Sequence, residues 1–505
     1  MKSQIKAGAV FSYINMIVNI GVTFIYTPFM LEMMGKSEYG LYSLVYSVIA
    51  YLSVLDMGFG NAMVRFVSKN QARGEKKKEH EINGLFLLLY LATGLIALII
   101  GLVLFLNTNN LFGNTLNPDE LAKTRIIMLI LIGTVSLSFP LSVFDSYAIA
   151  SERFVFLKVL DIIKHLAIPG LMIPILFMGG KSISMVIVTS AVTLGYHIVT
   201  MVYCFKKLKM RIKLSFKDID KSLLKSISAY SFWVFLNIII DNLYNNTDQV
   251  ILGSVCGTAM VAVYSIAAKI SSTNVSFSTA ISGLFLPKIT KTLEEKDGDK
   301  KVSDIFIKVS RLQMYIMMLI LAGFTVFGRF FIKLWVGDDY MDAYYIILLL
   351  IGPAIIPLTQ NIGISIIQAK NKHQFRSIIY LIIAVINIAI SIPLAMRYGG
   401  IGAAIGTALA NIAGQIITMN IFYWKKIHID IPKYWKNMIL FSIPVAILTA
   451  VAIYITKDME FGWLKLTGAI LAFAACYGLI VLTYANKSEK QALRKILRLG
   501  KKQGR

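Results

Sequence analysis

Apolar runs of about 20 residues or more recur from one end of the chain to the other. Each is long enough for a helix to cross the hydrocarbon core of a bilayer. Short polar connections, most of them basic, separate the runs. The pattern predicts about fourteen membrane helices, near 5–31, 39–64, 82–106, 124–149, 154–178, 183–205, 226–254, 258–287, 305–332, 341–367, 375–397, 401–424, 436–456 and 462–484. No polar stretch is long enough for a separate soluble domain, so the expected fold is all-α and integral to a membrane. The first run is too long for a signal-peptide core and lacks a small-residue cleavage site after it. It is expected to be retained.

Spans seven and eight break the apolar pattern most sharply. The first carries Asn237, Asp241, Asn245 and Asp248, and the second carries Lys269, Ser272, Thr273 and Ser276. At 100° per residue each set falls on one helix face, within an arc of roughly 80–100°. A charge near the bilayer centre costs about 2.5–3.5 kcal/mol on insertion scales. These groups therefore need partners, a water-filled cavity, or both, which points to a solute pathway.

Composition and charge refine this picture. The chain is 57% hydrophobic and 15% charged, with a net charge of +24; soluble domains carry about a quarter charged residues. So basic a chain suggests nucleic acid, but the distribution argues otherwise. With the N-terminus counted as inside, 40 of the 51 Lys and Arg fall on inside segments and 9 on outside segments. The other two, Lys164 and Lys269, lie within spans. That asymmetry obeys the positive-inside rule, places both termini in the cytoplasm, and excludes a nucleic-acid partner. The basic tail 487–505 reads as a solvated or membrane-surface helix. Cys204, Cys256 and Cys476 show neither metal spacing nor a disulfide framework.

The chain also repeats. A shift of 222 residues lays Asn15, Asn19, Thr23 and Tyr26 on Asn237, Asp241, Asn245 and Asp248. The same shift lays Gly35 on Gly257, Tyr42 on Tyr264 and Lys69 on Lys291. Two blocks of six spans, both starting inside, make a parallel repeat of the kind found in transporters, with substrate bound between the halves. The expected organisation is an N-terminal lobe (1–205), a basic linker (206–225), a C-terminal lobe (226–424), two extra spans (425–484) and a basic tail (485–505).

The segment Met34-Gly-Lys-Ser-Glu-Tyr-Gly-Leu-Tyr42, with Leu55-Asp-Met-Gly-Phe-Gly-Asn-Ala-Met-Val-Arg-Phe-Val-Ser-Lys69 after it, resembles the opening hairpin of the Wzx-type oligosaccharide flippases. These form the polysaccharide-biosynthesis branch of the MOP exporter superfamily, beside the MATE exporters and the lipid II flippases. Asp248-Gln-Val-Ile-Leu-Gly253 and Leu286-Pro-Lys-Ile-Thr290 resemble the start and end of that family's second lobe. The resemblance implies two six-helix lobes in a V that opens alternately to each side of a bacterial cytoplasmic membrane. It implies a cargo of oligosaccharide on a polyprenyl (pyro)phosphate, moved for capsule, exopolysaccharide or cell-wall polymer synthesis. Its partners would be membrane lipids and the polymerase and glycosyltransferases of the same pathway, with the chain itself a monomer. Lipid II flippases use several arginines on their first two helices; here span one has none, and Arg65 lies at the inner end of span two.

A diphosphate headgroup suits cations near its path, so Lys269 and Lys164 are candidate substrate-binding residues. Their alternative role is neutralisation, by Asp241 and Asp161 respectively. Asn237, Asn245, Asn15 and Asn19 can donate to and accept from sugar hydroxyls, and can equally join helices. Asp241 and Asp248 are candidates for coupling H⁺ or Na⁺; Asp161 and His165, on one face of span five, are candidates for a proton relay. Asp56 and Asp145 are expected to pair with Arg65 or Arg153, and His197 to be packed. The sequence has no phosphate-binding loop, metalloprotease motif or nucleophile elbow. A transporter without catalytic chemistry, metal or organic cofactor is therefore expected. The readings left open beside the oligosaccharide flippase are a MATE-like cation-coupled exporter, a lipid II flippase, and a scaffold within a polysaccharide synthesis complex.

Overall fold

The computed structural model describes residues 2–213, 221–282, 285–370, 372–486 and 489–490. Among these the regular structure is helical throughout and no strand occurs. In chain order the elements are α1 (Lys2–Met34), α2 (Lys36–Ala50), α3 (Phe59–Arg73), α4 (Lys76–Leu106), α5 (Thr108–Phe112), α6 (Pro118–Ala150), α7 (Phe154–Phe177) and α8 (Ser182–Lys206). Next come α9 (Lys221–Val255), α10 (Thr258–Ser282), α11 (Leu286–Leu293), α12 (Gly298–Val336), α13 (Asp342–Thr359), α14 (Ile362–Ala369), α15 (His373–Asn411), α16 (Met419–Phe422), α17 (Ile431–Thr456) and α18 (Trp463–Tyr484). Eleven helical stretches among the described residues are long and apolar enough to cross a membrane. The fourteen expected from the sequence include α9 and α10, which lie outside that set.

The chain divides into two compact units, Met1–Ser265 and Ile266–Arg505, with the division inside α10. In the first unit α4 and α8 flank α6, and α1 runs along α7. Met63, Phe86, Tyr90, Val143 and Phe144 fill the core between them. In the second unit α12 is central, packing on α13, α17 and α18, with α13 also against α15. Large apolar side chains also stand exposed. Leu95, Ile99, Val103 and Leu106 form such a stripe on α4, as expected where the solvent is lipid.

The ends and breaks of these helices have local causes. Asn117 caps α6 with a reciprocal box: its side chain accepts from the Glu120 N–H at 2.9 Å, and the Glu120 carboxylate accepts from the Asn117 N–H at 3.1 Å. The α1–α2 and α9–α10 turns each place a glycine at positive φ, Gly35 at +82° and Gly257 at +81°. These are the two turn glycines that the 222-residue shift superposes. Span two, expected as one helix, is broken. A 3₁₀ turn at Tyr51–Asp56 and left-handed backbone at Met57 and Gly58 separate α2 from α3. Asp56 satisfies the break, accepting from the Gly58 N–H at 3.1 Å and from the Tyr90 hydroxyl at 2.8 Å.

The longest apolar stretch, Gln374–Ile427, has 54 residues and as one straight helix would extend about 80 Å. It is folded at Gly399, whose backbone (φ 58°, ψ −137°) is not helical. Ser391 Oγ reaches the Ala403 carbonyl at 3.3 Å, so the two arms pack on each other. The sequence-based reading of two spans, 375–397 and 401–424, describes these arms.

Candidate functional site

The polar hairpin falls on α9 and α10. Asp248 is buried at 4% exposure and accepts a hydrogen bond from the Tyr264 hydroxyl. Both groups belong to the first unit, and Tyr264 is the residue that the repeat aligns with Tyr42. Beside Asp248 in the chain, Gln249 Oε1 accepts from Ser47 of α2 at 2.6 Å and from Ser265 at 3.2 Å. Asp241 and Asn245 are exposed, and the Asn245 amide donates back to the Asp241 carbonyl at 2.7 Å. The side chain of Asn237 lies outside the described residues. On α1, Asn19 is exposed, whereas Asn15 is half-buried with Oδ1 unpartnered.

Lys269 is half-buried on α10, within the second unit. The hydroxyls beside it turn onto their own helix. Ser272 and Thr273 both donate to the Lys269 carbonyl at 2.9 Å, and Ser276 donates to that of Ser272 at 3.0 Å. Such back-bonding satisfies a serine or threonine in a membrane helix, and it leaves the oxygen lone pairs on the exposed stripe available as acceptors.

A second set of charges assembles where α6, α7 and α8 meet in the first unit. Asp145 of α6 brings Oδ2 to 2.8 Å from His197 Nδ1 of α8, a close approach without hydrogen-bond geometry, since neither that nitrogen nor Asp145 Oδ1 has a hydrogen-bond partner. This corrects one expectation, since the group beside Asp145 is His197 and not Arg65 or Arg153. On α7, Asp161 pairs with Lys158 at 3.0 Å rather than with Lys164. Lys164 instead sets its ammonium over the Tyr196 ring, 5.5 Å from its centroid, a cation–π placement. Tyr196 in turn meets the His197 ring edge-on at 5.3 Å. His165 is half-buried on α7 beside Lys164. Of the predicted residues, Asp161, Lys164 and His165 are therefore brought together here, with Asp145, His197 and Tyr196 added by the fold.

A third polar set, unmarked in the sequence, ties the helix ends opposite the N-terminus of α1. Glu38 of α2 accepts from Lys123 of α6 at 2.7 Å, from the Ser182 N–H of α8 at 3.3 Å, and from the Ser182 hydroxyl. Glu120 adds bonds from Ser37 at 2.5 Å and Thr258 at 2.7 Å to its capping role. Thr115 donates to the Gly253 carbonyl at 2.7 Å. The only sequence signal was acid at the start of a helix, which capping alone explains.

This architecture, with its lipid-facing stripes and charges held inside helical spans, is that of a multi-pass membrane protein. The chain belongs to the polysaccharide biosynthesis protein family, whose model matches residues 5–293. The family read from the opening hairpin is thus the family found. The chain is 21% identical over 489 residues to the membrane protein EpsK of Bacillus subtilis (strain 168), covering 94% of each protein. It is 22% identical over 400 residues to a Shigella flexneri protein named as an O-antigen transporter, covering 77% of this chain and 90% of that one. In fold it is similar to the lipid II flippase MurJ in an inward closed conformation. The TM-score is 0.70 at 14% identity, over 94% of this chain and 98% of that one.

Proposed function

We propose that the protein is a flippase that carries a polyprenyl-(pyro)phosphate-linked oligosaccharide from the inner to the outer leaflet of a bacterial cytoplasmic membrane. It would act by alternating access and without catalytic chemistry. The observation that carries this reading is the placement of Lys164, Asp161, Asp145 and His197 in one cluster within spanning helices, in a chain belonging to a polysaccharide-biosynthesis family. Charges inside spans mark substrate and ion paths. Likeness to a protein named as an O-antigen transporter supports a lipid-linked glycan as cargo. The bias of basic residues toward one side supports cytoplasmic termini.

In this account Lys164 in the first unit and Lys269 in the second are each candidates to meet the anionic headgroup. Asn15, Asn19, Asn237 and Asn245 meet sugar hydroxyls, and Asp161, His165, Asp241 and Asp248 serve the coupling ion, H⁺ or Na⁺. The two repeat blocks act as the alternating halves. The test is deletion of the gene in its own host, with lipid-linked oligosaccharide measured in the membrane and polymer measured at the surface. The lipid-linked precursor is expected to accumulate while surface polymer falls, with the full chain restoring both. Unchanged precursor and polymer would contradict this function.

A further inference from the structure

One side chain on α2 interrupts an otherwise buried helix. Residues 38–41, 43–45 and 47–49 are buried, whereas Tyr46 is 50% exposed. A helix that faces lipid exposes a whole stripe, as α4 does with Leu95, Ile99, Val103 and Leu106. A single exposed residue opens instead onto a cleft within the unit. Exposure grows along this face of α2. Tyr39 is 4% exposed, Tyr42 is half-buried, and Ser53, two turns beyond Tyr46, is exposed. The cleft therefore widens toward the inner ends of the spans. The three rings form a row, with centroids 6.4 Å apart from Tyr39 to Tyr42 and 5.9 Å apart from Tyr42 to Tyr46. Packing accounts for Tyr39 and Tyr42 but not for Tyr46, half of whose surface touches no protein.

Other helices of the first unit line the same cleft. Near its outer end the Tyr26 hydroxyl of α1 meets Met185 Sδ of α8 at 3.6 Å. One turn further in, Thr189 of α8 lies beside Tyr42. Helices α2 and α8 run in the same direction, with Glu38 and Ser182 joined at their starts, and α1 runs against them. Depths along the cleft follow from the rise per residue. Measured inward from the Tyr26–Met185 contact, Asn19 lies at about 10 Å and Tyr46 at about 12 Å, while Asn15 and Tyr196 both lie at about 16 Å. Asn15 and Asn19 share a face of α1 with Tyr26, and Tyr196 shares a face of α8 with Met185 and Thr189. Asn19 is exposed, and Asn15 Oδ1 is buried without a partner. Tyr196 carries the Lys164 ammonium over its ring, which puts a cation at the inner end of the row.

We infer that Tyr46 is the stacking platform for a sugar ring of the cargo, with Asn19 at the rim of that ring and Asn15 and Tyr196 one turn further in. A pyranose has a face of C–H bonds and a rim of hydroxyls. The C–H face is apolar and slightly positive, and it fits the negative face of an aromatic ring. The rim needs groups that both donate and accept, as side-chain amides do. A buried oxygen without a partner, such as Asn15 Oδ1, is costly, and a hydroxyl that donates to it removes that cost. A diphosphate near Lys164 leaves the attached glycan alongside Tyr46. This rests on the flippase reading and names the side chain that recognises the glycan, as distinct from the diphosphate or the lipid.

The test compares two probes on the purified full chain by microscale thermophoresis. One is undecaprenyl diphosphate, and the other is the glycan-bearing polyprenyl diphosphate extracted from the host membrane. Wild type is expected to bind the glycan-bearing lipid more tightly. Tyr46→Leu should bind that lipid about tenfold more weakly than wild type, with its affinity for undecaprenyl diphosphate unchanged. Tyr46→Phe, which keeps the ring, should match wild type on both. Wild-type affinity in Tyr46→Leu for the glycan-bearing lipid, an equal loss on both probes, or a loss in Tyr46→Phe as large as in Tyr46→Leu would each overturn the inference and leave the flippase reading standing. No binding of either probe to wild type would overturn both. Should Tyr46→Leu not fold, Tyr46→Trp replaces it. The emission of the added indole, taken as the difference from wild type, should shift with the glycan-bearing lipid and stay fixed with undecaprenyl diphosphate. The same response to both probes, or none to either, overturns the inference.

Discussion

Glu38 of α2 and Lys123 of α6, 85 residues apart, meet at 2.7 Å, and the same carboxylate also holds the start of α8 through Ser182. One acid thereby joins three helices of the first unit. Its side chain is 11% exposed and that of Lys123 is 28% exposed, so the bond is made largely out of solvent. Glu38→Gln should lower the stability of the purified protein by about 1–3 kcal/mol, the range for a charge-assisted bond lost where its partners stay buried. Thermal unfolding in detergent measures this, and a midpoint equal to wild type would contradict the assignment.

The second unit has a counterpart. Arg311 grips Glu489 with Nε at 2.9 Å and a terminal nitrogen at 3.2 Å, and also reaches Asn437, Tyr315 and the Tyr484 carbonyl. Glu489 is 2% exposed. Glu489→Ala should cost about 3–5 kcal/mol by leaving Arg311 uncompensated. Arg311→Lys should also destabilise, because an ammonium cannot make the forked contact. The double change Arg311→Met with Glu489→Leu should recover much of the loss, as read from unfolding midpoints of the three variants.

Gly40, in the opening motif, faces the α9–α10 turn so closely that a Cβ there would stand 1.9 Å from the Thr258 carbonyl oxygen. Backbone cannot yield that distance without moving a helix. Gly40→Ala should therefore destabilise by about 1–3 kcal/mol. Gly74→Ala, at an open turn with φ +70°, should cost only the backbone strain of about 1–2 kcal/mol. Thermal unfolding of the two variants side by side checks the ranking; a milder effect at Gly40 would contradict the close approach.

Tyr90→Phe removes the hydroxyl that holds Asp56 at the α2–α3 break. It should destabilise by about 1–3 kcal/mol and make the 51–58 backbone exchange faster. Hydrogen exchange by mass spectrometry reads that segment directly, and unchanged exchange would show that the Gly58 N–H bond suffices.

The helices were legible because period and apolar run length alone decide what crosses a bilayer. The turn glycines were legible too, since the repeat aligned Gly35 with Gly257 and both take the same backbone. The pairings were not. Asp145 has arginines close in sequence, yet the group beside it is His197, on a helix reached only after the whole of α7. Lys164 has Asp161 three residues away, yet that carboxylate turns to Lys158, the cation on its other side. Such choices depend on helix packing, which hydropathy does not encode. Span two read as continuous because Asp56-Met57-Gly58 is short and flanked by apolar residues; the left-handed backbone there is a property of two residues rather than of composition.

Whether this chain flips a lipid-linked glycan is decided in proteoliposomes that contain only the purified full chain and a fluorescent polyprenyl-diphosphate oligosaccharide. A membrane-impermeant quencher added outside reports how much probe reaches the outer leaflet. Vesicles with the protein should expose nearly all of the probe, while protein-free vesicles keep about half of it protected. Lys164→Ala should slow exposure by about tenfold or more. Protection that stays the same with and without the protein would contradict the flippase function.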